Sequence, residues 1–185
     1  MAADLHHDKD LESMSNNGST DSNTHKSTLG AIRVSGAERN DFLQGQLTQD
    51  MQSLQPGKAM LAGWANAKGR LHCVTWVLDW QNSTWLVMPA ELCVAVAQRL
   101  GMFVLRADAR VEVSDLPVMP ASREAAMALI KPEDSSASDC FYNENYLYFE
   151  PSGGLGLILG KSPDDTDMTN WRLGCIRAGV PSVWA

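Results

Sequence analysis

Residues 71–78, Leu-His-Cys-Val-Thr-Trp-Val-Leu, constrain the fold most, because they are apolar on both sides of an extended chain. Successive strand side chains point to opposite faces, so Leu71, Cys73 and Val77 share one face and Val74, Trp76 and Leu78 the other. A strand covered on both sides either has helices behind it or lines a cavity. A second β-rich run, 59–65, precedes it across Asn66-Ala67-Lys68-Gly69-Arg70. Gly69 supplies the positive φ that a tight hairpin needs.

The flanking segments predict the layers around this hairpin. Ala31-Ile32-Arg33-Val34 reads as a short strand and Ser35-Gly36-Ala37 as a turn. A helix is expected over 41–50, since Leu43, Leu47 and Met51 are spaced four apart on one face. Gln55-Pro56-Gly57 stops it. A turn at 79–82 leads to a third strand over 84–88. Pro89 suits the first turn of a second helix, whose stripe is Leu92, Val96, Leu100 and Phe103. Residues 110–113 form one more strand. This order of strands and helices predicts an α+β fold, antiparallel sheets with helices packed on one face.

The later sequence is less periodic. Pro117 and Pro120 are expected to break the chain, with a helix over 121–130 and a surface loop over 131–145. Strands are expected at 146–150 and 156–159, and a helix at 169–177 ended by Gly179 and Pro181. Residues 1–27, rich in Ser, Asn, Asp and His, cannot repay their ordering entropy and are expected to form a disordered tail. His6, His7 and His25 lie in it.

Charge narrows the functional classes. The net charge is −7. Residues 1–27 hold five acids and two bases, and residues 131–167 eight acids and two bases. The rest is nearly balanced, so there is no overall basic footprint for nucleic acid. Lys58, Lys68, Arg70, Arg99, Arg106 and Arg110 read as solvated edges. No run approaches a membrane span, and the N-terminus lacks the apolar core of a secretory signal. The cytoplasm is the expected compartment. Cys73, Cys93, Cys140 and Cys175 show no metal or disulfide spacing and read as buried thiols.

No nucleophile elbow, phosphate loop or metalloprotease motif occurs. His72 and Cys73 are neighbours on a strand and are expected to face opposite ways, so His72 reads as a structural histidine. The six tryptophans, four of them within 64–85, are expected to be core residues or platforms for a flat heterocycle.

Two stretches carry a family resemblance. Residues 42–70 hold Phe-Leu-Gln-Gly-Gln-Leu-Thr-Gln-Asp, Pro56-Gly57-Lys58 and Ala67-Lys68-Gly69-Arg70; residues 171–181 run Trp-Arg-Leu-Gly-Cys-Ile-Arg-Ala-Gly-Val-Pro. Together they resemble the YgfZ family, folate-binding relatives of the glycine cleavage T-protein. The resemblance implies a GcvT/YgfZ-like fold and a role in tRNA modification and iron–sulfur cluster assembly or repair. It implies a folate cofactor, tetrahydrofolate or a derivative, with iron–sulfur enzymes such as a tRNA methylthiotransferase as partners. On that match Trp171 is the folate contact, and Lys68 or Arg70 meets the glutamate tail. A second family tryptophan is replaced by Leu29.

The same resemblance implies a first folate-binding subdomain over 28–116 and part of a second over 117–185. The chain reaches Ala185 before the family's Lys-Gly-Cys-Tyr-x-Gly-Gln-Glu motif, so a longer parent protein is expected. Aligned at Gly69-Arg70, the paired acids of T-proteins fall on Cys73 and Val74, and Arg177 stands where they carry a folate-contacting Glu. Aminomethyl transfer is therefore the weaker alternative, and a degenerate fragment with an interaction role the other.

Overall fold

The structure is a computed structural model describing residues 29–132, 139–151, 154, 156–160 and 168–180. The expected tail and its three histidines lie outside the described residues. The elements in order are β1 (Leu29–Ser35), α1 (Arg39–Gln44), a 3₁₀ turn (Met51–Ser53), β2 (Ala59–Ala65), β3 (Leu71–Trp80), β4 (Ser83–Pro89) and α2 (Ala90–Gly101). There follow β5 (Arg110–Pro120), α3 (Arg123–Ile130), β6 (Cys140–Tyr142), β7 (Leu147–Phe149), β8 (Leu157–Leu159) and α4 (Met168–Arg177). The architecture is α+β. All eight strands join one antiparallel sheet in the order β2-β3-β4-β1-β5-β8-β7-β6.

The sheet has two distinct faces. Ile32, Val34, Val77, Leu86 and Met88 turn outward, beneath Phe42 and Leu43 of α1 and Cys93, Val96, Ala97 and Leu100 of α2. On the same outer face Tyr148 and Ile158 pack under Ala126 and Ile130 of α3. Leu29, Ala31, Leu78, Trp85 and Val87 point inward, where they meet Leu147, Phe149, Leu157 and Leu159 from the other end of the sheet. The sheet therefore curls on itself. Trp76 lies 6.0 Å from Phe149 between ring centroids, although β3 and β7 are far apart in the strand order. The Trp80 indole N–H donates to the Asn143 carbonyl at 2.8 Å across the same gap. Three helices cover the outer face, as patterning predicts, while α4 packs on the inner one through Trp171 and Cys175.

β4 is buried at all seven positions. Each large apolar side chain taken fully out of water there contributes about 2 kcal/mol. The one polar side chain buried in β3, Thr75, donates its hydroxyl to the Val87 carbonyl at 3.0 Å and so avoids an unpaired polar group.

Three sequence expectations are corrected. The helix expected over 41–50 ends at Gln44. Leu43, Leu47 and Met51 are all buried as their spacing suggested, but Leu47 bridges to Trp64 of β2, and Met51 begins the 3₁₀ turn. The Gln44 side chain accepts from the Met51 amide at 2.6 Å and holds this tighter path. β5 passes through both Pro117 and Pro120. Its pairing with β1 slips between Ala31↔Ser114 and Leu29↔Val118, so Pro117 sits in an irregularity that asks for no ladder N–H. Finally, the loop expected over 131–145 contains the short strand β6.

Gly36 fixes how β1 hands over to α1. Its φ is 111°, and an added Cβ would overlap the Asp108 carbonyl. The adjoining amides of Ala37 and Glu38 both donate to Asp108, at 3.2 and 3.0 Å. Gly36→Ala is expected to lower stability by about 2 kcal/mol or more, from backbone strain plus a displaced contact. A urea midpoint equal to that of the unsubstituted protein would rule this out.

Candidate functional site

Curling leaves a gap where α4 meets the inner face. A cavity of about 250 Å³ opens there, walled by Leu29, Val87, Met88 and Pro89, by Leu61, Val74 and Trp76 of β2 and β3, and by α4. The α4 wall is Trp171, Arg172, Cys175 and Ile176, two pairs spaced four apart and so on one side of the helix. Gly179, at φ 68°, ends α4. The Val180 amide donates back to the Cys175 carbonyl at 2.9 Å, returning Val180 to the cavity rim.

The wall is mainly apolar, and its strong polar groups are donors. Trp171 is 9% exposed, and its Nε1 is buried without a hydrogen-bond partner among the described residues. Such an orphan donor costs about 1–3 kcal/mol unless something accepts from it. Arg172 adds a permanent positive charge. No Asp or Glu lines the cavity among the described residues. Burial raises the Cys175 thiol above its ordinary value, which keeps it protonated and unactivated at neutral pH.

The structure places the sequence-predicted residues unequally. Trp171 is in the cavity wall. Lys68 and Arg70 are exposed at the β2–β3 hairpin tip and are not among the lining residues. There Asn66 organises the turn: its side-chain oxygen accepts from the amides of Lys68 and Arg70, at 2.9 and 3.1 Å, and Gly69 has φ 77°. Val74 faces the cavity, and Cys73 faces the outer core at 1% exposure. The two positions that the resemblance sets against T-protein acids thus put a valine on the wall and bury a thiol behind it.

The His72–Cys73 expectation changes in detail. The β2–β3 register slips so that β3 has an extra residue opposite Trp64 and Ala65. This bulge brings the His72 ring to 4.8 Å from Trp64, on the side where Cys73 is buried. His72 is a packing residue against Trp64. Sequence reasoning missed Arg172 and Ile176, although the spacing from Trp171 and Cys175 was readable once the helix had been placed.

Comparison with known proteins gives the site its context. No family model matches the chain. A tRNA-modifying protein YgfZ from Colwellia psychrerythraea is 26% identical over 114 residues, covering 61% of this chain and 35% of that protein. One of the same name from Vibrio vulnificus is 24% identical over 140 residues, covering 74% of this chain and 43% of the relative. The chain is similar in sequence to these YgfZ proteins. Its fold is shared with the glycine cleavage system aminomethyltransferase T from Bartonella henselae, at a TM-score of 0.61 and 17% identity over 82% of this chain. The chain spans 42% of that structure, and so matches less than half of each of these proteins.

The buried thiols set a pH limit on stability. Desolvation raises Cys73 and Cys93 from 9.0 to about 11, and Cys140 to about 12. The unfolded chain loses these protons near pH 9 while the folded chain retains them, so the stabilisation is complete below pH 9 and falls as pH rises toward 11–12. Urea midpoints should decline across that window, and Cys73→Ala should make the decline shallower. Midpoints flat from pH 8.5 to 11 would contradict this burial.

Proposed function

We propose that this chain is the folate-binding front part of a YgfZ-like accessory protein. It supports tRNA modification and the assembly or repair of iron–sulfur clusters, working in the cytoplasm with an iron–sulfur enzyme such as a tRNA methylthiotransferase as its partner. The observation carrying this reading is Trp171, a cavity-wall indole whose buried Nε1 has no acceptor among the described residues. A pterin ring offers the acceptor, and the apolar walls from Leu61, Val74 and Trp76 suit its faces. The volume suits a bicyclic head whose tail extends outside. Bound folate supplies a carrier for one-carbon units.

The chain's own residues bind and orient in this reading. Trp171 donates a hydrogen bond and packs against the ring, α4 excludes water, and Arg172 draws anionic groups toward the mouth. Lys68 and Arg70 are proposed for the glutamate tail, through charge-assisted pairing that salt weakens. A one-carbon transferase of T-protein type is disfavoured by Val74, since a methyl-bearing wall can neither exchange a proton nor stabilise a cation.

Titration calorimetry with 5-formyltetrahydrofolate tests the proposal. The folded chain is expected to bind, Trp171→Phe to weaken binding roughly tenfold by removing the indole donor, and Arg70→Ala to weaken it a few-fold, with the loss shrinking in high salt. A folded chain that binds neither this compound nor tetrahydrofolate would overturn the assignment. Measurable aminomethyl transfer to tetrahydrofolate would instead favour the transferase reading.

A further inference from the structure

Away from the cavity, the chain carries a surface at odds with its overall charge. Met102, Phe103 and Leu105, in the turn after α2, are 67%, 49% and 85% exposed, and Val94 on the helix's outer side is 55% exposed. The Phe103 ring stands nearly perpendicular to that of buried Trp64, 6.3 Å between centroids, which fixes this turn beside the end of β2. The β2–β3 tip begins two residues beyond Trp64. Residues 66–72 and 94–107 contain Lys68, Arg70, Arg99 and Arg106 and no acidic residue, in a chain of net charge −7. All four cations are exposed, and none joins an ion pair among the described residues.

We propose that this surface docks a protein partner through a segment bearing apolar side chains flanked by carboxylates. The reasoning is charge complementarity around aliphatic knobs. Met, Phe and Arg are enriched at protein interfaces, where an apolar centre is ringed by polar groups. Leu105 and Met102 project as aliphatic side chains that need an apolar pocket in the partner. Single-stranded nucleic acid would use flat stacking platforms, whereas the most exposed apolar side chains here are Leu105 and Met102, which have no ring to stack. The surface shares Lys68 and Arg70 with the proposed glutamate-tail contact, but Arg99, Leu105 and Arg106 take no part in the folate reading.

Fluorescence anisotropy decides the matter with three labelled probes: an amphipathic helical peptide with Leu on one face and Glu on the other, the same peptide with Gln for Glu, and oligouridylate. The Glu peptide is expected to bind best. Arg99→Glu/Arg106→Glu should weaken it roughly tenfold, mostly by slowing association, and Leu105→Ala should weaken it a few-fold through lost apolar burial. Far-UV circular dichroism and urea midpoints show that both variants remain folded, and 5-formyltetrahydrofolate affinity should be unchanged in them. Equal binding of the Gln peptide, tighter binding of oligouridylate, or no peptide binding would each overturn the proposal.

Discussion

The fold depends on burying β4 and β1 on both faces. β4 has no exposed residue, and β1 alternates between the outer cluster through Ile32 and Val34 and the inner one through Leu29 and Ala31. A strand with two apolar faces needs a cover on each. Helices α1 and α2 cover the outer face. The inner face is covered by the sheet's own far end, which β5 carries around to bring β7 and β8 against β3 and β4. The curl is thus a consequence of patterning, and the sheet that makes it is hydrogen-bonded strand to strand from β2 to β6.

The cavity follows from that closure. Strands approach each other closely where Trp80, Trp85 and Phe149 fill the space, but the β2–β3 end carries half-buried Leu61, Val74 and Trp76 and stays open. Helix α4 lies over this opening and adds Trp171 and Arg172, lining side chains that carry N–H donors. Among the described residues the lining carries donors and no carboxylate, in a fold shared with the T-protein. On β3 the cavity is faced by Val74, which cannot ionise.

Periodicity exposed most of the first half. The two-faced 71–78 segment, Gly69 at the hairpin and Pro89 before α2 each report local physics that the tertiary structure leaves intact. Spacing failed where different backbones bury the same side chains: Leu43, Leu47 and Met51 face the core as a helix would place them, yet the chain between them leaves the helix at Gly45. Pro117 misled because an irregular pairing removes the demand for its missing N–H, a property of β1 as much as of β5, and Pro120 because it closes the strand rather than interrupting it. Trp171 was singled out through a resemblance, and the structure puts it in the cavity wall. The other cavity walls were not legible, since Leu61 and Val74 become neighbours of α4 only when the sheet curls. The bulge at His72 was likewise hidden, because a register slip depends on the partner strand.

The most direct test of the account follows the indole N–H resonances of the tryptophans by ¹H–¹⁵N correlation while 5-formyltetrahydrofolate is added. If the inner cavity is the binding site, Trp171 shifts most because its free donor gains an acceptor. Trp76 follows through ring contact, and Trp64, Trp80 and Trp85, packed away from the opening, stay near their starting positions. An unmoved Trp171 alongside saturating shifts at Trp64, or no shift at any indole in the folded protein, would contradict a ligand site between α4 and the curled sheet.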